Sequence, residues 1–496
     1  MGLALARELM SRFYVACDLG LEMGRVVLGT LNKDQLILSE IESFPNPPSQ
    51  EKDALQWNIP YLYERILDGL RRVGTYEEPV ESVSCTSWAG DYLLFDSDGS
   101  LLTPAFHHQD GRTDAGRKHV LASIPWETLY QETGWQRLPT NTIFQLAAES
   151  SKRLKRAGQV LPMADGFNYL LSGVARAEKS LACTTQLYNP ITNLWSQTLA
   201  SGLHLPAGVL PPVVAAGTEL GPLRPEIVKD TRLEDTRVIA TCSHSIAASL
   251  AGLPIRVRED WAFIHPGKTA LLGTQLGAPL IGQASRELGF SNEIGYDGCV
   301  CVHKQTTGLS ILDECQQSWK QADRAIDSEL LSHLAGAVPP FESLIDPTDP
   351  RLSAPGDMPQ KIQAYCKETG QVVPRKPGPI FRCILESLAL LYRKSLQELE
   401  LLTGARFAKL FILGKTEHPL LNHFIANAMK VPSVVVGENS RAIGNILVQA
   451  LSLKHIDNFQ AARDLVGRSV KTETIVPYAN AWDAAYDRLA ALSVES

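Results

Sequence analysis

Long apolar runs are missing from this chain. No stretch approaches the ~20 residues that a bilayer-spanning helix needs, so a helical membrane protein is not expected. A surplus of positive charge is missing too. The formal net charge is −7 across 496 residues, which argues against a general binder of nucleic acid or anionic membrane, since neither surface attracts an acidic protein. Paired cysteines are absent: the nine thiols stand at 17, 85, 183, 242, 299, 301, 315, 366 and 383, with no CxxC among them. That excludes a zinc ribbon or a thioredoxin-type motif. Cys299 and Cys301 are placed to share a strand face, and two thiols alone make a poor metal site. An odd number of thiols scattered through apolar segments reads as reduced, buried cysteine in a cytoplasmic protein. The opening MGLALARELMSR is too short and too charged for a signal peptide. Residues 1–12 therefore read as an extension outside the fold, with Met10 as a second possible start.

What is present suits a globular α/β protein. Hydrophobic residues make up 44% and charged residues 20% of the chain, and the length allows two or three domains. A buried strand, Phe13–Asp18, runs into Leu19-Gly20, and strands at Arg25–Leu31 and Gln35–Phe44 complete a meander. An amphipathic helix is expected at Ile59–Arg72, then a strand at Val80–Thr86 with a hairpin partner at Tyr92–Asp96, where Asp-Ser-Asp-Gly forms the turn. Positions 110–180 read as helix-rich, and the Pro/Gly-rich Leu205–Pro222 marks a boundary region. A second start follows at Arg237–Thr241, with a helix at Ser245–Ala251 and strands at Trp261–Ile264 and Thr269–Leu272. The longest helix, Ile380–Leu402, stops at Gly404. Strands and helices then alternate to Leu453, as in an α/β unit.

Several segments, in order, resemble the FGGY carbohydrate kinases, and the rhamnulokinase branch in particular. Asp18-Leu19-Gly20 with Gly24-Arg25 is similar to the family's first phosphate loop. Thr86–Tyr92 (TSWAGDY) resembles the Trp-Gly-x-Asp segment beside the sugar, and Asp110-Gly111-Arg112-Thr113 its Asp-x-Arg-Thr. Met163–Gly173, Cys183–Leu187 and Ser243-His244 fit as well, followed by Glu386–Ala389, Leu420–Asn422 and Ile443–Ile446. The resemblance implies two RNase H-like domains of the actin-like ATPase class with a cleft between them. Residues 13–236 would form the sugar-side domain and 237–496 the nucleotide-side domain. It also implies a small sugar as substrate, with ATP and Mg²⁺ as cofactors. Trp88, Ala89, Asp110, Arg112, His244, Ile246 and Gln305 would face the sugar. Asp18, Gly20, Gly24, Arg25, Gly267, Lys268, Thr269, Asp313, Gly414 and Lys415 would face the nucleotide, with Asp18 also beside the metal.

The same comparison exposes departures. The family's general base is an Asp in a His-Asp-Thr segment; here the residues are His244-Ser245-Ile246, and no Asp lies between Arg237 and Arg258. A serine hydroxyl has far too high a pKa to take the proton, and losing a positioned base costs about 10²–10⁴-fold in rate. The first phosphate loop carries Leu21-Glu22-Met23 where small hydroxyl residues are usual, and a glutamate there repels phosphate. The second reads His265-Pro266-Gly267-Lys268-Thr269, in which proline removes an amide donor. Ala262–Thr269 also fits a loose Walker A pattern, but the proline inside it and the strand-like residues after it discount that reading. The adenosine loop, a run of glycines in the family, is Gly414-Lys415-Thr416.

Two outcomes are open at this point, beside a third, a different enzyme on the same fold. One is a catalytically degenerate homologue that keeps sugar or phosphosugar binding. The other is an active ATP-dependent kinase of a ketose or deoxyketose such as L-rhamnulose, with Glu22 and Lys268 as relocated groups. Plainer roles stand beside the functional ones: core packing for Trp88, a strand-end acid for Asp18, an ion pair for Asp110 and Arg112, surface or cleft-lining positions for His107 and His108, and a half-buried one for His244.

Overall fold

The computed structural model describes residues 11–492 except 256–259, 323–325, 415–417, 438 and 479–480. The start of the extension (Met1–Met10) and Lys415 lie outside the described residues. The chain divides into two compact units, one made of residues 1–257, 275–302 and 439–471, the other of 258–274, 303–438 and 472–496.

In the first unit β1 (Arg12–Leu19), β2 (Met23–Leu31), β3 (Leu36–Pro45), β4 (Val80–Thr86), β5 (Thr218–Pro222) and β6 (Arg237–Ala240) form one sheet in the order β5-β6-β4-β1-β2-β3. β1, β4 and β6 run parallel; β2, β3 and β5 are antiparallel to their neighbours. A central strand needs apolar residues on both faces, and β1 supplies them by alternation. Val15 and Cys17 join Leu62, Ile66 and Leu70 of the Ile59–Val73 helix on one side. Tyr14 and Ala16 join Ile443, Ile446 and Leu447 of the Ser440–Ser452 helix on the other.

That second helix approaches the short Ser245–Ala251 helix very closely. A Cβ at Gly444 would lie 1.8 Å from the Ala248 carbonyl oxygen, and one at Gly252 2.3 Å from that of Ser440. Side chains at these glycines would push the helices apart.

The expected pairing of Tyr92–Asp96 with Val80–Thr86 is not what forms. Tyr92–Asp96 pairs antiparallel with Ala157–Pro162, while β4 lies between β1 and β6. Residues 92–95 are buried on both faces, so this strand belongs inside its own layer. The Asp96–Gly99 turn does form, with Gly99 N–H donating to the Asp96 carbonyl at 3.1 Å and Gly99 at φ 82°.

In the second unit β7 (Trp261–Pro266), β8 (Thr269–Leu276), β9 (Val300–Thr307), β10 (Lys409–Leu413), β11 (Ser433–Val436) and β12 (Glu473–Ile475) run in the order β9-β8-β7-β10-β11-β12. β7, β10 and β11 are parallel, with β8 and β12 antiparallel to them. This repeats the strand succession of the first unit, so both are RNase H-like. The Pro377–Thr403 helix starts with proline in its first turn and ends at Gly404 with φ 71°, the asymmetry expected of proline and glycine at helix ends.

Candidate functional site

Ser245, at the position the resemblance gives the base, lies where the parallel strands of the first unit end. A bridge pairs Ser87 with His244; Ser87 N–H donates to Ser243 O and Ser245 N–H to Ser87 O, each at 2.9 Å. This is the carboxyl end of the parallel strands, where open α/β sheets present their ligands. Ser245 is the first residue of its helix and His244 its N-cap, which makes no side-chain capping bond. Ser245 and Ile246 are half-buried.

Three buried carboxylates hold this corner. Glu293 Oε1 lies 2.8 Å from His244 Nδ1. Glu178 Oε2 accepts from Ser243 N–H at 2.9 Å and from the Ser180 N–H and hydroxyl. Asp165 Oδ1 accepts from the Ser243 hydroxyl at 2.7 Å. The Ser180 hydroxyl in turn takes the His244 N–H at 2.9 Å. Burial pushes Glu178 up to about 7. Burial, then the Glu178 charge, raises Asp165 well above the usual carboxylate range. Among the described residues no carboxylate is hydrogen-bonded to the Ser245 hydroxyl.

The aromatic cluster is built around Asp91. Trp88 is buried and its Nε1 donates to Asp91 Oδ2 at 2.7 Å; Trp57 Nε1 and His108 Nδ1 reach the same oxygen at 2.8 Å each. The Trp57 ring lies 4.6 Å from that of Trp88 and 4.4 Å from that of His107, which stacks on His108 at 4.1 Å. Burial, then the neighbouring His108, lowers His107 to about 4, so it is neutral near pH 7, and its Nδ1 accepts the Gln109 N–H at 2.9 Å. Ala89 is half-buried beside Trp88.

Asp110 and Arg112 border a cavity of about 750 Å³ with Trp57, Asn58 and Phe106, yet both are committed within the protein. Asp110 accepts the N–H groups of Leu55 and Arg112 at 2.7 and 3.0 Å. Arg112 donates to the Gln145 carbonyl at 3.1 Å and lies 3.8 Å over the Phe106 ring. Their mutual ion pair is long, at 3.9 Å.

The turn between β1 and β2 is tight: Gly20 N–H donates to Met23 O at 2.8 Å. A Cβ at Gly20 would meet that oxygen at 2.7 Å, and one at Gly24 the Phe44 ring at 2.3 Å. Asp18, 1% exposed, faces two guanidiniums, Arg25 at 2.8 Å and Arg441 at 3.3 Å, both on Oδ2. Its Oδ1 is buried without a hydrogen-bond partner. These residues do not fit Mg²⁺. That ion favours one or two carboxylates with water and phosphate oxygens, whereas this carboxylate already has two cations, and among the described residues no group of three His, Cys, Asp or Glu could hold a metal.

In the second unit Gly267, Lys268 and Thr269, which the resemblance assigns to the nucleotide, stand at the turn between β7 and β8. Gly267 N–H donates to His265 O at 3.0 Å, and the Gly267 and Lys268 carbonyls accept from Leu309 and Ser310. Lys268 and Thr269 line a cavity of about 420 Å³ with Ser310, Glu314 and Met358, and Gln305, which the resemblance sets toward the sugar, lines it too. The Lys268 ammonium lies 3.9 Å from Asp313 Oδ2. Gly414 has φ 88°, and a Cβ there would meet His265 at 3.4 Å. Ala262–Pro266 lies within β7 and Thr269 opens β8, which is strand geometry rather than that of a Walker A loop opening a helix.

Sequence reasoning missed Glu178, Glu293, Trp57 and Arg441. Asp165 and Asp91 carried a signal, an acid inside an apolar segment; Glu293 and Arg441 carried none, because their partners are distant in sequence.

Comparison with known proteins gives a consistent result. Models of the FGGY family of carbohydrate kinases match residues 13–252 with the N-terminal domain and 264–453 with the C-terminal domain. A rhamnulokinase of Bacteroides thetaiotaomicron is 34% identical over 482 residues, covering 96% of this chain and 98% of that one. The rhamnulokinase of Enterococcus faecalis is 32% identical over 470 residues, 94% of each. Among solved structures, ligand-bound xylulose kinase from Lactobacillus acidophilus superposes with a TM-score of 0.81 at 14% identity, covering 98% of both chains. Plasmodium falciparum glycerol kinase with ADP gives 0.79 at 12%, covering 98% of this chain and 97% of that one. At those identities the likeness is one of fold.

Proposed function

The chain belongs to the FGGY family of carbohydrate kinases, and on that premise we propose a rhamnulokinase-like homologue that retains sugar recognition and has lost phosphotransfer. One observation carries this reading. At the position where the resemblance puts the base stands Ser245, and the carboxylates around it are spent on Ser243, Ser180 and His244. A hydroxyl cannot take the sugar proton near neutral pH. Pro266 in the second phosphate loop and the two arginines on Asp18 support the same reading from the nucleotide side. The ligand class is a ketose or deoxyketose such as L-rhamnulose, met by the Trp88 segment and His244. The nine free cysteines, eight of them buried, favour a reducing compartment, the cytoplasm.

Calorimetry with ATP and Mg²⁺, with and without L-rhamnulose and L-fuculose, tests the proposal alongside an assay for ADP release. The expected result is sugar binding with no sugar-dependent ADP. Sustained ADP release that needs the sugar overturns it.

A second reading, an active ATP-dependent sugar kinase, is favoured by one pairing. His244 Nδ1 lies 2.8 Å from buried Glu293, and a carboxylate behind an imidazole holds the ring in one orientation. On this reading His244 takes the proton in place of the missing Asp, and His244→Gln abolishes the sugar-dependent ADP.

A further inference from the structure

Asp18 is the residue that the family resemblance sets beside a divalent cation, and the geometry points to a different occupant. We propose that the Arg441 guanidinium, together with Arg25, takes the place of the metal ion at Asp18, so that this end of the first sheet meets its ligands without one.

Asp18 is 1% exposed, and a carboxylate so buried needs a countercharge or hydrogen bonds. It receives two guanidiniums on one oxygen, Arg25 at 2.8 Å and Arg441 at 3.3 Å. Both guanidiniums share one carboxylate oxygen, and Glu40 Oε2 lies 3.9 Å from Arg25 Nη1. An ion seated about 2 Å from Oδ1 would stand close to both cations, and among the described residues no group of three His, Cys, Asp or Glu is there to hold it.

Arg441 owes its position to three features. It is the second residue of the Ser440–Ser452 helix, where a cation opposes the positive end of the helix dipole; Asp18 compensates for that placement. Its helix is seated against the Ser245–Ala251 helix through Gly444. Gly20 lacks a side chain, and a Cβ there would come 3.7 Å from Arg441 Nη1, so the guanidinium reaches over the turn itself. Arg25 is fixed separately, by the Asn439 side chain at 3.2 Å.

The inference rests on Asp18 occupying the family's metal position, not on the loss of phosphotransfer. Sugar-dependent ADP release would sink the proposed function without touching it.

The probe is Mn²⁺ alone, titrated into the full-length chain and followed by electron paramagnetic resonance of the free ion. The wild type is expected to bind no Mn²⁺ through Asp18, giving the same titration as Asp18→Asn. Arg441→Ala is expected to gain one site, at least about tenfold tighter, because a full charge has left its surroundings. Arg441→Ala combined with Asp18→Asn is expected to lose that site again. A wild-type site that Asp18→Asn removes overturns the proposal, and so does an Arg441→Ala variant that is folded by circular dichroism and still binds no Mn²⁺. Should Arg441→Ala not fold, Arg441→Gln repeats the titration, and the wild-type comparison with Asp18→Asn decides on its own.

Discussion

Trp88 and Asp91 are joined inside the first unit by a 2.7 Å hydrogen bond from the indole Nε1 to Oδ2, and that oxygen is the acceptor on which a second indole also converges. Asp91 is 2% exposed, so its negative charge is held by donors instead of water. Hydrogen bonds to a charged group contribute about 1.5–3 kcal/mol each. Asp91→Ala strands the Trp57 and Trp88 donors and is expected to lower stability by at least about 1.5–3 kcal/mol in urea unfolding. Trp88→Phe, which leaves Trp57 and His108 on Asp91, is expected to cost less than Asp91→Ala.

A carboxylate placed at 245 tests whether that one group separates this chain from an active kinase. Ser245→Asp is expected to fold like the wild type and to show no sugar-dependent ADP release in a coupled assay, because Pro266 and the arginines at Asp18 remain. A gain of about 10²-fold or more over wild type would mean that only the base had been missing.

Stability near neutral pH should carry the mark of Glu178. Its folded value is about 7 against 4.5 for the ordinary group, because burial disfavours the ionised form. Between these values the folded chain keeps a proton that the unfolded chain has released. This contribution to stability is therefore full below about pH 4.5 and is lost as pH rises towards 7. His107 acts in the opposite sense, since its folded value of about 4 lies below 6.5. The comparison of wild type with Glu178→Gln removes that background: the urea midpoint of the wild type should fall relative to the variant between pH 5 and pH 8.

The helix crossing at Gly444 tolerates no side chain. Gly444→Ala sets a methyl group against the backbone of Ala248, 1.8 Å from its carbonyl oxygen, and is expected to cost about 1–3 kcal/mol by overpacking. Differential scanning calorimetry would show it as a lowered midpoint. Ala450→Gly, on the same buried helix but removing a methyl instead of adding one, should cost about 1 kcal/mol by propensity.

How much of this was legible depended on how far apart the partners lie. The Phe13–Asp18 strand and the long helix ending at Gly404 were readable because their signals are local: a continuous apolar run, and a glycine just past the last helical residue. Tyr92–Asp96 was readable as a strand, but its partner, Ala157–Pro162, follows only after several helices, and sequence proximity favoured the wrong neighbour. Asp110 announced itself as an acid beside an arginine. Its main task, accepting the Leu55 N–H at 2.7 Å, depends on a residue 55 positions away. Ser245 stood out only through the family resemblance. Arg441 and Glu293 gave no sign, since nothing nearby in sequence says that one reaches Asp18 and the other His244.

The backbone bond that fixes Ser245 has a consequence for how such a chain changes over generations. The end of the sheet grips this position by its main chain, through Ser245 N–H to Ser87 O at 2.9 Å, and the fold asks little of the side chain. A change of side chain at 245 leaves that backbone bond available. The side chain at 245 is thus open to change in a way that the glycines at 252 and 444, on which the helix crossing depends, are not.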